Sequence, residues 1–409
     1  MLQAALRDGT AGRPCVFELF ARRLPDGRRY GVVGGTGRLL EALQDFRFGD
    51  DELAHLSSNK VIDDTTCQWL RDYRFCGDID GYREGDLYFP GSPVLTVDST
   101  FADGVVLETL ALSIFNHDTA VASAAARMVY AAGDRRCIEM GSRRTHEQAA
   151  VAAARAAYLA GFAATSNLAG GRHFGVPTTG TSAHSYTLLH DSEADAFRAQ
   201  IDALGRDTTL LVDTYDITQG IRTAIEVAGP ELGAIRIDSG DLAVMAHQAR
   251  ELLDSLGARR TRIVLSGDLD EFALAALAGA PVDAYGVGTS VVTGSGAPTA
   301  GFIYKLVEVE GRAVVKRSED KSTRGGRKTA VRRHRATGTA TAEVIHSQGE
   351  PAAEPGDRAL QVPLVRGGKP VDDIDTLPES REHLRAALRT LPWEGLKLSR
   401  GEPAIPTIY

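Results

Sequence analysis

Along the middle of the chain one pattern of apolar and polar positions recurs. A short apolar run rich in β-branched residues comes first, then a polar turn, then apolar residues at helical spacing. "TTLLVDTYDITQGIRTAIEVAG" (208–229), "GAIRIDSGDLAVMAHQARELLDSLG" (233–257) and "RIVLSGDLDEFALAALAGA" (262–280) each complete the cycle, and "VDAYGVGTSVVTG" (282–294) begins another. Continuous apolar runs suit strands buried on both faces. Their alternation with helices predicts a parallel sheet, either an α/β barrel or a doubly wound sheet. Upstream, "THEQAAVAAARAAYLAG" (145–161) predicts a helix, with Thr145 and Gln148 at capping-box spacing and Gly161 as its stop.

The flanks have a different texture. "CVFELFARRL" and "RYGVVGG" read as strands, "GRLLEALQDF" as a helix, and "GDLYFPGSPVLTVDSTF" as strands broken by turn residues. From Phe302, "FIYKLVEVEGRAVVKRS" predicts a hairpin turning at Glu310-Gly311. A basic stretch from Lys321 to Arg335 follows, then the strand-like "TAEVIHS" and "RALQVPLVRGG" and an amphipathic helix in "PESREHLRAALRTLP". These changes divide the chain into residues 1–110, 111–301 and 302–409, with the last segment expected to pack on the first.

Composition narrows the function classes. The 409 residues carry a formal charge of −8, from 46 basic and 54 acidic side chains, which gives no support to a nucleic-acid or membrane surface as main partner. The basic stretch has no interleaved aromatics, so it reads as a solvated loop or a lid over an anionic substrate. Cys15, Cys67, Cys76 and Cys137 lack C-x-x-C spacing, which predicts free thiols rather than a zinc ribbon or disulfide framework. No leader pattern opens the chain and no apolar run is long enough to span a bilayer, so a soluble, cytoplasmic protein is expected.

Candidate chemistry falls at the carboxyl ends of the predicted strands: Asp213, Asp238, Ser266 with Asp268, and Gly286 with Thr289. In parallel α/β folds that edge is where ligands bind. "GVGTS" (286–290), with Gly288 and Thr289, offers backbone N–H groups that can wrap an anion, or else only a tight turn. Ser266-Gly267-Asp268 is expected to open a helix, whose N-terminus favours phosphate. Asp238 and Asp241 suit ribose hydroxyls or a Mg²⁺ ion on a diphosphate; alternatively, Asp241 caps the next helix and Asp238 pairs with an arginine such as Arg236. Arg143 and Arg144 are adjacent on an extended segment, so one of them at most is expected to face a ligand. His184, in "GTSAHSY", follows a loop of glycine and hydroxyl residues, and is either an ordinary satisfied histidine or a reacting group.

Taken in order, "VFELFARR", "IEMGSRRTHEQAAVAAARAAYLAGFAATSNLAGGRHFGVPTTGTSAHSY", "LVDTYDITQGI", "IRIDSGDL", "SGDLDEF", "GVGTSVVT" and "YKLVEVEGRAVVKRSEDKST" resemble the nicotinate phosphoribosyltransferase family. The resemblance implies an irregular α/β barrel of parallel strands beside an α+β domain formed by both chain ends. It implies joining of nicotinate to 5-phosphoribosyl 1-diphosphate with Mg²⁺, coupled to ATP hydrolysis through a phosphorylated histidine, here His184, in a homodimer with shared active sites. On the matching motifs it places Arg143, Thr181 and Arg236 at nicotinate. Asp213, Asp238, Gly267, Asp268, Gly288 and Thr289 fall at the phosphoribosyl diphosphate, and Arg236 and Asp238 join His184 in catalysis.

Two departures from the family pattern carry expectations. Family members begin with an Asp-x-Tyr-type motif whose tyrosine stacks on nicotinate, whereas Met1-Leu2-Gln3 aligns just after it. The expectation is a start codon called late or a lost stacking aromatic, with weakened nicotinate binding in the chain as given. The family's Pro-Gly in the basic loop is Gly325-Gly326 here, which is expected to loosen that loop. The alternatives are a nicotinamide or quinolinate phosphoribosyltransferase, or a non-catalytic or impaired homologue.

Overall fold

A computed structural model describes residues 1–316, 324–347 and 354–409. The chain divides into two compact units, one of residues 124–298 and one made of residues 1–123 with 299–409.

In the central unit six strands form one sheet: β1 (Arg136–Glu139), β2 (Ala164–Thr165), β3 (Thr209–Leu211), β4 (Ala234–Ile237), β5 (Arg262–Gly267) and β6 (Ala284–Val287). Their order is β2-β1-β6-β5-β4-β3, and every neighbouring pair is parallel. The succession rises from β3 to β6 and then returns to β1 and β2, which is the cyclic order of a barrel. The sheet does not close, because β2 and β3 remain as its edges. Leu210, Ile235, Ile237, Ile263, Leu265 and Val287 are fully buried, which is why these strands read as unbroken apolar runs.

Helices α1 (Glu147–Leu159), α2 (Leu168–Phe174), α3 (His184–Leu188), α4 (Glu193–Leu204), α5 (Ile217–Ala228), α6 (Leu242–Ser255), α7 (Glu271–Ala276) and α8 (Thr289–Val292) connect the strands. Asp216, Asp241 and Asp270 cap α5, α6 and α7, each side chain accepting from backbone N–H groups of the first turn. At α1 the capping differs from the expected box. His146, not Thr145, is the N-cap, and its ring nitrogen accepts from the Gln148 N–H, because the chain stays extended through His146.

The other unit draws on both chain ends. Its seven-stranded antiparallel sheet has Pro14–Ala21 paired with Leu95–Thr100 on one side and with Phe302–Val309 on the other. The hairpin turns at Glu310 and Gly311, both with positive φ, as a type I′ turn requires. A 32-residue helix, Phe101–Ala132, begins in this unit and ends in the central one; it was not legible in the sequence, since alanine, valine and leucine surround it without a polar stripe.

The basic stretch is neither a solvated loop nor a lid where it is described. Thr329–His334 is a strand, and Arg332 is fully buried between Asp86 and Glu343. Arg327 pairs with Asp80 and Asp98, and Lys328 with Glu18. Carboxylates on strands distant in sequence convert a basic run into internal ion pairs. Gly325-Gly326 is also pinned rather than loosened: Gly326 N–H donates to Val307 O at 2.7 Å, and a Cβ on Gly325 would lie 2.6 Å from Val314 O. Lys321 and its neighbours in 317–323 lie outside the described residues.

Candidate active site

A cavity of about 690 Å³ opens at the carboxyl ends of the six strands. Nine of the ten residues that the family resemblance assigned to the site line it: Arg143, Thr181, His184, Arg236, Asp238, Gly267, Asp268, Gly288 and Thr289. The tenth, Asp213, lies beneath them. Its Oδ2 accepts from the Asp238 N–H and the Ser239 hydroxyl, each at 2.8 Å.

Arg236 is the hub of the floor. It leaves β4 with its guanidinium 12% exposed, and its Nε donates to Ser266 Oγ at 2.7 Å. One terminal nitrogen donates to Thr181 Oγ1 (2.6 Å) and Ser182 O (3.3 Å), the other to Asp238 Oδ1 (2.9 Å). Four partners from three segments fix the planar fork. Burial works against ionisation of Asp238. Hydrogen bonds from Ser266 and Arg236, with the charges of Arg236 and His184, outweigh it and hold the carboxyl below the usual aspartate range. Asp241 caps α6 while Asp238 pairs with Arg236, so both bland alternatives for these carboxylates are realised alongside their place at the cavity.

His184 is the first residue of α3, its side chain 42% exposed towards the cavity. Its Nδ1 lies 3.2 Å from Thr214 Oγ1, and its Nε2 lies 3.9 Å from Asp213 Oδ1. The Asp213 side chain is fully buried, and its Oδ1 has no hydrogen-bond partner among the described residues.

The glycines act through their backbones. Gly267 has φ +131, a conformation that other residues rarely adopt, and ends β5 beside Asp238. Asp268 does not open a helix as expected; α7 starts at Glu271 behind Asp270, so the phosphate-suited feature here is the exposed turn itself. Gly288 immediately precedes α8, and Thr289 starts it.

Arg143 and Arg144 both line the cavity, against the expectation that one at most would. The chain turns at Gly141–Arg144, where the Arg144 N–H bonds Gly141 O at 2.8 Å, so the alternation of an extended strand does not apply. Neither guanidinium has a hydrogen bond or ion pair with a described residue, in contrast to Arg236. Sequence reasoning also missed Glu139, the last residue of β1. It is buried, accepts from Gly141 N–H and Thr165 Oγ1, and so anchors the arginine turn. Burial pushes its carboxyl up, against those two hydrogen bonds. Its position at a strand end, like that of Asp213 and Asp238, was the available signal.

Comparison with known proteins identifies the family. The model of the nicotinate phosphoribosyltransferase (NAPRTase) N-terminal domain matches residues 1–116, and that of the quinolinate phosphoribosyl transferase C-terminal domain matches residues 121–295. Nicotinate phosphoribosyltransferase pncB1 of Mycobacterium tuberculosis is 64% identical over 417 residues, spanning 100% of this chain and 92% of that relative. The Bacillus subtilis nicotinate phosphoribosyltransferase is 37% identical over 348 residues, spanning 81% of this chain and 71% of its own. The crystal structure of human nicotinic acid phosphoribosyltransferase superposes with a TM-score of 0.87 at 27% identity, covering 98% of this chain and 95% of that one. This chain belongs to the nicotinate phosphoribosyltransferase family, whose curated members are enzymes.

Proposed function

We propose that the cavity joins nicotinate to 5-phosphoribosyl 1-diphosphate, giving nicotinate mononucleotide and diphosphate in NAD salvage, with ATP hydrolysis coupled through His184. The observation that carries this assignment of residues is their convergence: nine of ten positions read from separate motifs line one cavity, and the tenth supports its floor. In this reading Arg143, Thr181 and Arg236 contact nicotinate. Asp213 and Asp238 stand towards the ribose, and the turns at Gly267-Asp268 and Gly288-Thr289 receive the phosphates.

The chemistry asks for positioning more than for a nucleophile. The ribosyl carbon loses diphosphate with oxocarbenium character while the pyridine nitrogen approaches from the opposite side. Holding the two in line, and neutralising charge on the departing diphosphate, supplies the acceleration. Arg143 and Arg144, which have no ion pair among the described residues, suit that task, and Asp238 suits the electron-poor sugar. Mg²⁺ would reach this site on the substrate. The described residues hold no group of three or more acidic, histidine or cysteine ligands. Asp238 and Asp268 fit its habit of using one or two carboxylates with substrate phosphates, and it would add charge neutralisation there.

For ATP coupling, an imidazole nitrogen of His184 takes the terminal phosphoryl group as ADP leaves, and water later cleaves the N–P bond. The exposure of the ring and the buried Asp213 oxygen 3.9 Å from its Nε2 support this role. Dimerisation has separate support. Leu168, Tyr215, Val244 and Phe272 are all exposed, and each lies in the connection or first helical turn after β2, β3, β4 and β5. An apolar residue after each of four successive strand ends suits cover by a second copy. A cytoplasmic location agrees with four free cysteines and with the absence of a membrane-spanning helix among the described residues.

A second reading, quinolinate as the base, is favoured by one feature: two unpaired arginines suit two carboxylates. Mononucleotide formation measured with nicotinate, nicotinamide or quinolinate separates the readings. Turnover of nicotinate alone is expected, and preference for either other base would contradict the assignment.

A further inference from the structure

The seam of the open barrel lies between β2 and β3, and the segment bearing Thr181 and His184 runs along it. On the β2 side that segment is attached by backbone. Thr165 N–H donates to Pro177 O (2.9 Å) and Thr179 N–H donates to Thr165 O (3.0 Å), a parallel bridge one strand-width beyond the sheet. On the β3 side the attachment is a side chain. Gln200 of α4 is 7% exposed, and its Nε2 donates to Thr208 Oγ1 (2.9 Å) and to the carbonyl of Thr209, the first residue of β3 (3.0 Å). Its Oε1 accepts from the Ser182 hydroxyl. Both donors and the acceptor of the amide are used.

The inward face of α4 runs Glu193, Ala196, Phe197, Gln200, at the i, i+3, i+4, i+7 spacing of a buried helix stripe. An aliphatic residue would fill the last position without the cost of burying an amide. The amide instead spans the gap that backbone pairing leaves. Ser182 is held from the other side too, since its carbonyl accepts from Arg236. Its neighbours are Thr181, bonded to Arg236, and His184, two residues on.

We propose that Gln200 is a positioning residue that clasps the open seam of the barrel and fixes the segment carrying Thr181 and His184 against Arg236. The inference rests on the reading of Thr181 as a nicotinate contact only for its kinetic consequence; the clasp itself is a statement about the seam.

The test uses the full chain with Gln200→Leu, which keeps the volume and removes all three bonds. Two quantities are read. The first is amide hydrogen exchange across 178–187, expected to quicken about tenfold while the interior of α4 stays protected. The second is KM for nicotinate, expected to rise about tenfold, since misplacement by an ångström is costly to a bound geometry. Ser182→Ala cuts only the Gln200–segment bond, so it is expected to reproduce both effects, and the double variant should be no worse than Gln200→Leu alone. Ser182→Ala also serves if Gln200→Leu does not fold. Thr181→Val separates the clasp from the functional reading. Faster exchange with KM unchanged in Gln200→Leu and Thr181→Val would sustain the clasp and remove the segment from nicotinate binding. Exchange at the wild-type rate across 178–187, or strictly additive effects of the two seam variants, would overturn the clasp.

Discussion

Replacing Arg236 with methionine keeps the length of the side chain and removes all four of its hydrogen bonds at the cavity floor. Three of its four hydrogen bonds go to the neutral acceptors Ser266, Thr181 and Ser182, worth about 1 kcal/mol each net; the fourth, to Asp238, is charge-assisted and worth about 1.5–3 kcal/mol. These terms share one side chain and do not add. Asp238 is also 32% exposed, so water recovers part of its lost pairing. The expected loss is about 3 kcal/mol, at the lower end for breaking a buried ion pair. Urea unfolding followed by circular dichroism measures it as a lower midpoint with an unchanged slope. The double variant Arg236→Met/Asp238→Asn no longer strands a carboxylate and should regain about 1 kcal/mol over the single variant. A single variant within about 0.5 kcal/mol of wild type, or a double variant further destabilised than the single one, would refute the account of Arg236 as the hub.

Burial, followed by the charges on Asp213 and Asp216, pushes the Glu193 carboxyl up from 4.5 to about 7. The folded chain therefore binds more protons than the unfolded one between those values, and stability falls as pH rises through that window. Thermal melts at stepped pH should show a smaller fall for Glu193→Gln; an unaltered slope would mean Glu193 ionises normally. Arg332→Met leaves Glu343 buried without a cation, while Asp86 keeps its pair with Arg358, and should cost about 3 kcal/mol in urea unfolding while KM for nicotinate in the folded fraction holds. Gly267→Ala meets ordinary contact distances but a φ of +131, so the strain of about 1–3 kcal/mol is in the backbone. It should raise KM for phosphoribosyl diphosphate more than KM for nicotinate.

What the sequence disclosed followed from local pattern. An apolar run ending in Asp213 or Asp238 places an acid at a strand end whatever surrounds it, so the parallel barrel and most of the cavity were legible. Features that depend on distant partners were not. Arg332 reads as part of a basic run until Asp86, 246 residues away, meets it in the buried interior. Gln200 reads as one polar residue of an amphipathic helix, because its task exists only once β2 and β3 fail to meet. Strand alternation allowed only one of Arg143 and Arg144 at the ligand, a limit that the turn at Gly141 cancels.

The central claim is that His184 couples ATP to mononucleotide formation in this cavity. The direct measurement is the initial rate from nicotinate, phosphoribosyl diphosphate and Mg²⁺, with and without ATP, in the wild-type chain and in His184→Ala. The account predicts that ATP accelerates the wild type and leaves His184→Ala at its ATP-free rate. Equal acceleration of both proteins would contradict it.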